Sequence, residues 1–148
     1  MQDHLGYRDP KHRVQAMAAD GLITLRSSLG SKQTMNKLEA EVKAKGMTVF
    51  ARIDHAAGAK AVGLSLRPTE VLIFGDAKAG TPLMQSGQTI GIDLPLKALV
   101  WQDQAGITWL SYNDLSWLVK RHGHEPTSTI NVMTAALAAL AKAATTSP

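Results

Sequence analysis

Asp54 and His55 are neighbours, and a carboxylate beside an imidazole is raw material for acid–base chemistry. Adjacency alone makes no dyad, because neighbours on an extended chain point to opposite faces. A turn after Asp54 would bring the two together; alternatively, Asp54 caps that turn through its own backbone and His55 lies on the surface. Further polar residues stand where other predicted strands end: Asp76 after one, Tyr112 and Asn113 at the close of another. Thr81-Pro82 has the form of an N-cap followed by a first helical proline, whose free amides and dipole would suit an anion. If the strand ends converge, Asp54, His55, Phe74, Asp76, Thr81, Tyr112 and Asn113 would line one small-ligand cleft. If they do not, these are separate turn and core residues.

Other chemistries are poorly served. The chain has no cysteine, which removes disulfides, thiolate ligands and cysteine nucleophiles. His122-Gly123-His124-Glu125 is the densest group of metal-type ligands, but alternate histidines suit a strand and this segment closes a helix. Adventitious surface binding of nickel or zinc is expected there, not a built metal site. No nucleophile elbow, phosphate loop or dinucleotide fingerprint is present, and no cofactor is expected.

The candidate residues depend on the elements that carry them. Val71-Leu72-Ile73-Phe74 is a continuous apolar run stopped by Gly75, the pattern of a strand covered on both faces. Gly75–Gly80 is a loop of small residues, and a short helix is predicted from Thr81-Pro82 onward, with Leu83 and Met84 as its first apolar residues. The small-residue segment from Ala56 to Gly63 would allow close backbone approach to a ligand or partner chain. Earlier, residues 21–28 alternate as a first strand. Ser31 opens a helix with Met35, Leu38 and Val42 at helical spacing and Gly46 as its stop. Thr48 to Asp54 alternates again, with Val49, Ala51 and Ile53 as its apolar face.

Beyond the central stretch, Ile90–Asp93 reads as a short extended piece. Two strands follow, Leu96–Gln102 and Ile107–Tyr112, joined by a hairpin loop in which Gly106 supplies the special φ. Asn113 or Asp114 caps a helix carrying Leu115, Leu118 and Val119 and ended by Gly123. Glu125 to Thr129 form a Pro/Ser/Thr linker. An alanine-rich helix then carries an apolar stripe wider than the preceding domain obviously needs.

Several separated segments together resemble the family called domain of unknown function 302. They are Ile53-Asp54-His55-Ala56-Ala57-Gly58-Ala59, Gly63-Leu64, Leu66-Arg67-Pro68-Thr69, Ile73-Phe74-Gly75 and Gly80-Thr81-Pro82-Leu83-Met84. The likeness continues through Ile92-Asp93-Leu94-Pro95-Leu96-Lys97 and Trp109-Leu110-Ser111-Tyr112-Asn113-Asp114, so that it covers roughly residues 21–123. Asp76-Ala77 stands where that family often has Asn-Pro, which adds a carboxylate to the loop. The resemblance implies a small α+β domain, usually a homodimer, and implies no activity or catalytic residue.

With 148 residues the chain suits one domain large enough to bury its own core. We therefore expect an α+β fold: about five strands, mostly antiparallel, with helices packed against the sheet. An N-terminal arm spans residues 1–20, the core domain 21–123, and a linker with an appended C-terminal helix 124–148. The net charge of +4 is interspersed and lacks the aromatics of a nucleic-acid footprint, so no nucleic acid is expected as a partner. No apolar run is long enough to span a bilayer, so no membrane is expected either. The opening Met-Gln-Asp-His is not a signal peptide; the expected compartment is the cytoplasm, or the periplasm or exterior if a leader has been removed. The leading expectation is a homodimeric module that binds or senses a small ligand without catalysis. One alternative is a small enzyme using Asp54 and His55 as an acid–base pair; another is a dimerising interaction domain with no ligand.

Overall fold

The computed structural model describes residues 19–147, so the predicted arm and its His4 and His12 fall almost wholly outside the described residues. Five strands form one sheet: β1 (Leu22–Arg26), β2 (Thr48–Asp54), β3 (Thr69–Gly75), β4 (Leu96–Gln102) and β5 (Thr108–Asn113). Their spatial order is β1-β5-β4-β3-β2, and every neighbouring pair is antiparallel. The fold is thus α+β, as expected. β1 and β2 run in the same direction but occupy opposite edges, so helix α1 (Ser31–Ala44), which joins them, spans the sheet between them.

The predicted stripe of α1 forms part of the core: Met35, Leu38 and Val42 are essentially inaccessible. They meet Leu72 and Phe74 of β3, Ala98 and Val100 of β4, and Leu110 and Tyr112 of β5. Helix α4 (Leu115–Arg121) adds Leu115, Leu118 and Val119, its N-terminus capped by the Asp114 side chain on the Ser116 amide. The β4–β5 hairpin turns at Gly106, φ 83°, as its position in the sequence suggested.

The C-terminal helix α5 (Ser128–Thr145) is present, and it is built into the domain. Ile130, Leu137, Leu140, Ala141 and Ala144 are buried in the common core. Its C-terminal end is stitched to the β1–α1 loop and to α1: the Ser28 amide donates to the Thr145 carbonyl at 2.9 Å, and Lys37 of α1 donates to the Thr146 carbonyl. The wide apolar stripe has two tasks, one against α1 and one described below.

Four local expectations are corrected. The Ala56–Gly63 segment is not merely a close-approach strip, because His55–Ala61 forms a helix, α2; Asp54 caps it and four alanines outweigh Gly58. Helix α3 runs from Ala77 to Ser86, five residues before the end of the predicted Thr81-Pro82 start. Its N-cap is Asp76, whose carboxylate accepts the Lys78 amide at 3.0 Å, and Pro82 lies inside it on the exposed side. Residues Gln88–Asp93 form a 3₁₀ helix, not an extended piece. Finally, the alternation in β2 breaks at a bulge: Val49 opposes Phe74 and Ala51 opposes Ile73, leaving Phe50 as the extra residue. Arg52 therefore shares the helix-covered face with Leu72, while Ile53 lies on the other face, 42% exposed. Arg52 is accommodated by a bidentate pair with Glu70 at 2.8 and 3.1 Å and by Glu39 of α1 at 3.0 Å. Lys43 and then Arg52 hold the Glu39 carboxyl below its ordinary range.

Candidate functional site

The end of the sheet where β2 begins, β3 ends and β4 begins is not filled by side chains. A cavity of about 540 Å³ opens there between α3 and α5, within the range of small-molecule sites. Each wall follows from local sequence. The small residues Gly75, Ala77, Ala79 and Gly80 put backbone and methyl groups where larger side chains would close the space. From the same helix, Leu83 and Met84 face inward. The β2 bulge sends Phe50 to the rim, 57% exposed, with Met47 beside it. The 3₁₀ helix leads into a cis Leu94-Pro95 bond, and Gly91, Leu94 and Pro95 form a third wall. Opposite them stand Met133, Ala136, Leu137 and Leu140 of the wide α5 stripe, the last two also part of the common core. The lining is therefore dominated by apolar groups, and Lys45 and Asp76 are its only ionisable members among the described residues.

The structure divides the seven predicted site residues. Asp76 and Thr81 belong to the wall of this cavity. Phe74, Tyr112 and Asn113 line a narrow neighbouring space of about 10 Å³, room for about one water, which shares Leu96, Leu137 and Leu140 with the cavity. Burial, and secondarily Asp114, raises the Tyr112 hydroxyl above its ordinary pKa, so it is a neutral phenol at pH 7. Asp54 and His55 are elsewhere. Thr48 of β2 pairs with Gly75 at the cavity, whereas Asp54 pairs with Glu70, about 20 Å further along the sheet by the rise of six residues. Asp54 accepts the Ala57 amide at 2.9 Å, and His55 is exposed in the first turn of α2. The pair forms no dyad, and neither residue lines either space. The anion site expected at Thr81-Pro82 also fails geometrically: Thr81 is mid-helix, and the true N-terminus is occupied by the Asp76 carboxylate.

A histidine–carboxylate pair does exist, between residues the sequence did not connect. His122, which ends α4, places Nε2 2.6 Å from Asp93 Oδ2 and Nδ1 2.9 Å from Thr89 Oγ1. Arg121 donates to both Asp93 oxygens at 2.8 and 2.9 Å. In either protonation state the ring can donate Nε2–H to Asp93; neutral, it accepts the Thr89 hydroxyl at Nδ1. These bonds fasten the 3₁₀ helix, and with it one cavity wall, to α4. His124 contributes to no cluster: among the described residues no group of three or more metal-type ligands occurs.

The sequence missed Lys45, Met47, Phe50, Leu94, Pro95 and the α5 wall as site residues. The width of the α5 stripe was the one legible signal. The profile of Domain of unknown function DUF302 matches residues 23–144. The chain belongs to the DUF302 family. The match takes in nearly all of α5, in keeping with its buried position. Fluoride-specific ion channel FluC 1 of Brucella suis biovar 1 is 48% identical over 117 residues, covering 77% of this chain and 46% of that protein. Fluoride-specific ion channel FluC 2 of Brucella melitensis biotype 1 is also 48% identical over 117 residues, 43% of its length. The chain thus spans less than half the length of these relatives. The crystal structure of an uncharacterized conserved DUF302 protein from Bacillus stearothermophilus superposes with a TM-score of 0.69 at 20% identity, covering 86% of this chain and 97% of that one, and so shares the DUF302 fold.

Proposed function

We propose that this DUF302 protein is a homodimeric module that binds or senses a small apolar ligand and catalyses no reaction on it. One observation carries the proposal: the cavity of about 540 Å³ at the end of the sheet, walled mainly by apolar side chains from α3, α5, β2 and the start of β4. The ligand sits beside Asp76 and Thr81, not beside Asp54 and His55. Dimerisation draws support from the sheet face opposite α1. Ile53, Val71, Ile73, Leu99 and Trp101 occupy it by register and are only half-buried or exposed within one chain. Native mass spectrometry of untagged protein, repeated after denaturation, tests both parts. The expected result is a dimer carrying extra mass that denaturation releases. Bare chains that also fail to take up apolar small molecules would overturn the ligand, and a monomer at micromolar concentration would overturn the dimer.

A second reading rests on the names of the Brucella relatives. The portion shared with those channel proteins would supply ligand sensing to them, with ion conduction residing in the portion not shared. No helix among the described residues is long and apolar enough to cross a membrane, which is the observation favouring this division. In proteoliposomes the present chain alone should give no fluoride efflux; efflux above that of empty liposomes would refute the division.

A further inference from the structure

We infer that the ligand of the α3–α5 cavity is an anionic amphiphile, an unbranched apolar tail of about ten or more carbons with its charged head held at the mouth by Lys45. The inference rests on the binding function proposed above and names the ligand class. Volume sets the scale of the tail. An apolar protein cavity of about 150 Å³ takes one benzene, so about 540 Å³ has room for up to roughly 20 non-hydrogen atoms. Side-chain type sets its shape. Met84 and Met133 stand on α3 and α5, and Met47 just before β2, so that they surround the space from three sides. Their unbranched thioethers can re-pack around a flexible chain, while Leu83, Leu94, Leu96, Leu137 and Leu140 supply the rest of the apolar contact.

The charge of the head follows from the two ionisable residues in the lining. Asp76 is already compensated: it caps α3, accepts the Lys78 amide at 3.0 Å and sits at the positive end of that helix. Lys45 is different. It is the C-cap of α1, exposed, and its ammonium has no ion pair or hydrogen bond among the described residues. The carbonyl end of α1 favours a cation there without supplying a counter-ion. The neighbouring basic residue Lys43 is paired with Glu39 at 3.0 Å. Of the two, only the Lys45 ammonium lacks a hydrogen-bond partner among the described residues, so it is the group left to meet a ligand, at the same solvent-exposed rim as Phe50, where a bound anion keeps part of its hydration. An ion pair in such surroundings raises affinity by up to about fivefold.

The test uses the full chain with decanoate, decanol and decyltrimethylammonium, each below its aggregation concentration. Amide chemical-shift titration reports both affinity and location, through Gly80, Met84 and Met133. Decanoate should bind up to about fivefold tighter than decanol, and decyltrimethylammonium weakest. Lys45→Gln should bring decanoate down to the affinity of decanol for the same variant, whose dispersed amide spectrum shows that it is folded. Lys45→Glu should reverse the order of the two ions. Equal binding of decanoate and decanol by the native chain, or a decanoate preference that survives Lys45→Gln, overturns the anionic head and leaves the apolar cavity as a binding site. If none of the three shifts the cavity residues, the binding function falls with it.

Discussion

Breaking the Asp93–His122 contact should loosen one wall of the cavity without unfolding the domain, and the structure sets the size of the effect. The two side chains are 15% and 9% exposed and meet at 2.6 Å, so the bond is stronger than a surface pair. A charge-assisted bond of this kind is worth about 1.5–3 kcal/mol. His122→Ala does not strand Asp93, however, because Arg121 still donates to both of its oxygens. Thr89 is exposed and can replace His122 with water at little cost. The coupling measured by the cycle Asp93→Asn, His122→Ala and the double variant should therefore lie near the lower bound, about 1.5 kcal/mol, from urea denaturation at constant pH. The loss should be local first. The Ile90 and Leu94 amides, which bond to the Gly87 and Gly91 carbonyls, should exchange faster in either single variant, whereas those of α1 should not. A coupling below about 0.3 kcal/mol, or uniform acceleration across the chain, would refute the idea that this contact clamps the wall.

Three further outcomes follow from other parts of the fold. Asp103 is pushed up by burial but pulled further down by Trp109 Nε1–H and by the Ile107 and Ala105 amides, for a net pKa below the ordinary carboxylate value. A depressed carboxylate stabilises the fold above its unfolded pKa of about 3.9 and ceases to do so as pH falls through the folded value. Asp103→Ala should therefore cost about 1–2 kcal/mol at neutral pH, with a gap to the native chain that narrows below about pH 4; a gap independent of pH would contradict this. Gly21 has φ 76°, and a Cβ there would enter the Trp117 ring, so Gly21→Ala should cost about 2–4 kcal/mol; an unchanged denaturation midpoint would contradict both causes. Leu140→Ala removes a side chain 3% exposed that belongs to both the core and the cavity, and should destabilise by about 2–3 kcal/mol, the low part of the usual range because the new space joins an existing opening. A loss under 0.5 kcal/mol in a denaturation curve would mean that α5 is peripheral.

Most of the fold was legible because each element obeys one period. The Met35, Leu38 and Val42 stripe is a pure helical repeat, and α1 buries those residues. Thr48–Asp54 and Leu96–Gln102 were bounded by turn residues and fall where the sequence puts them. Failures occurred where one residue decides between two local structures. A single extra residue at Phe50 exchanges the faces of β2, and nothing in the composition of the strand marks it. Thr81-Pro82 looks like a helix start by residue type. Yet Asp76 is an equally good cap five residues earlier, and Pro82 lies inside the helix on its exposed side, where water can reach the Lys78 carbonyl that it leaves without an amide.

The site was harder to read than the fold for a related reason. A catalytic centre announces itself through polar residues, whose chemistry constrains their type; an apolar cavity is made by residues that look like core. Asp54 and His55 drew notice because they could do chemistry, and both are accounted for by the start of α2. Met47, Leu94 and Met133 drew none, because each is also a plausible core residue for its own element. What distinguishes them is a surplus. Helix α5 carries more apolar surface than α1 can cover, while α3 opposite it buries no residue fully. Two apolar surfaces facing each other without closing are costly to leave in water, at roughly 25 cal/mol per Å². A chain under no demand to bind would gain stability by closing that gap with larger residues at Ala77, Ala79, Gly80 and Ala136, all of which line it. Small residues on both sides of the opening are thus the sequence-level mark of the cavity, and they can be recognised only once topology has placed α3 opposite α5.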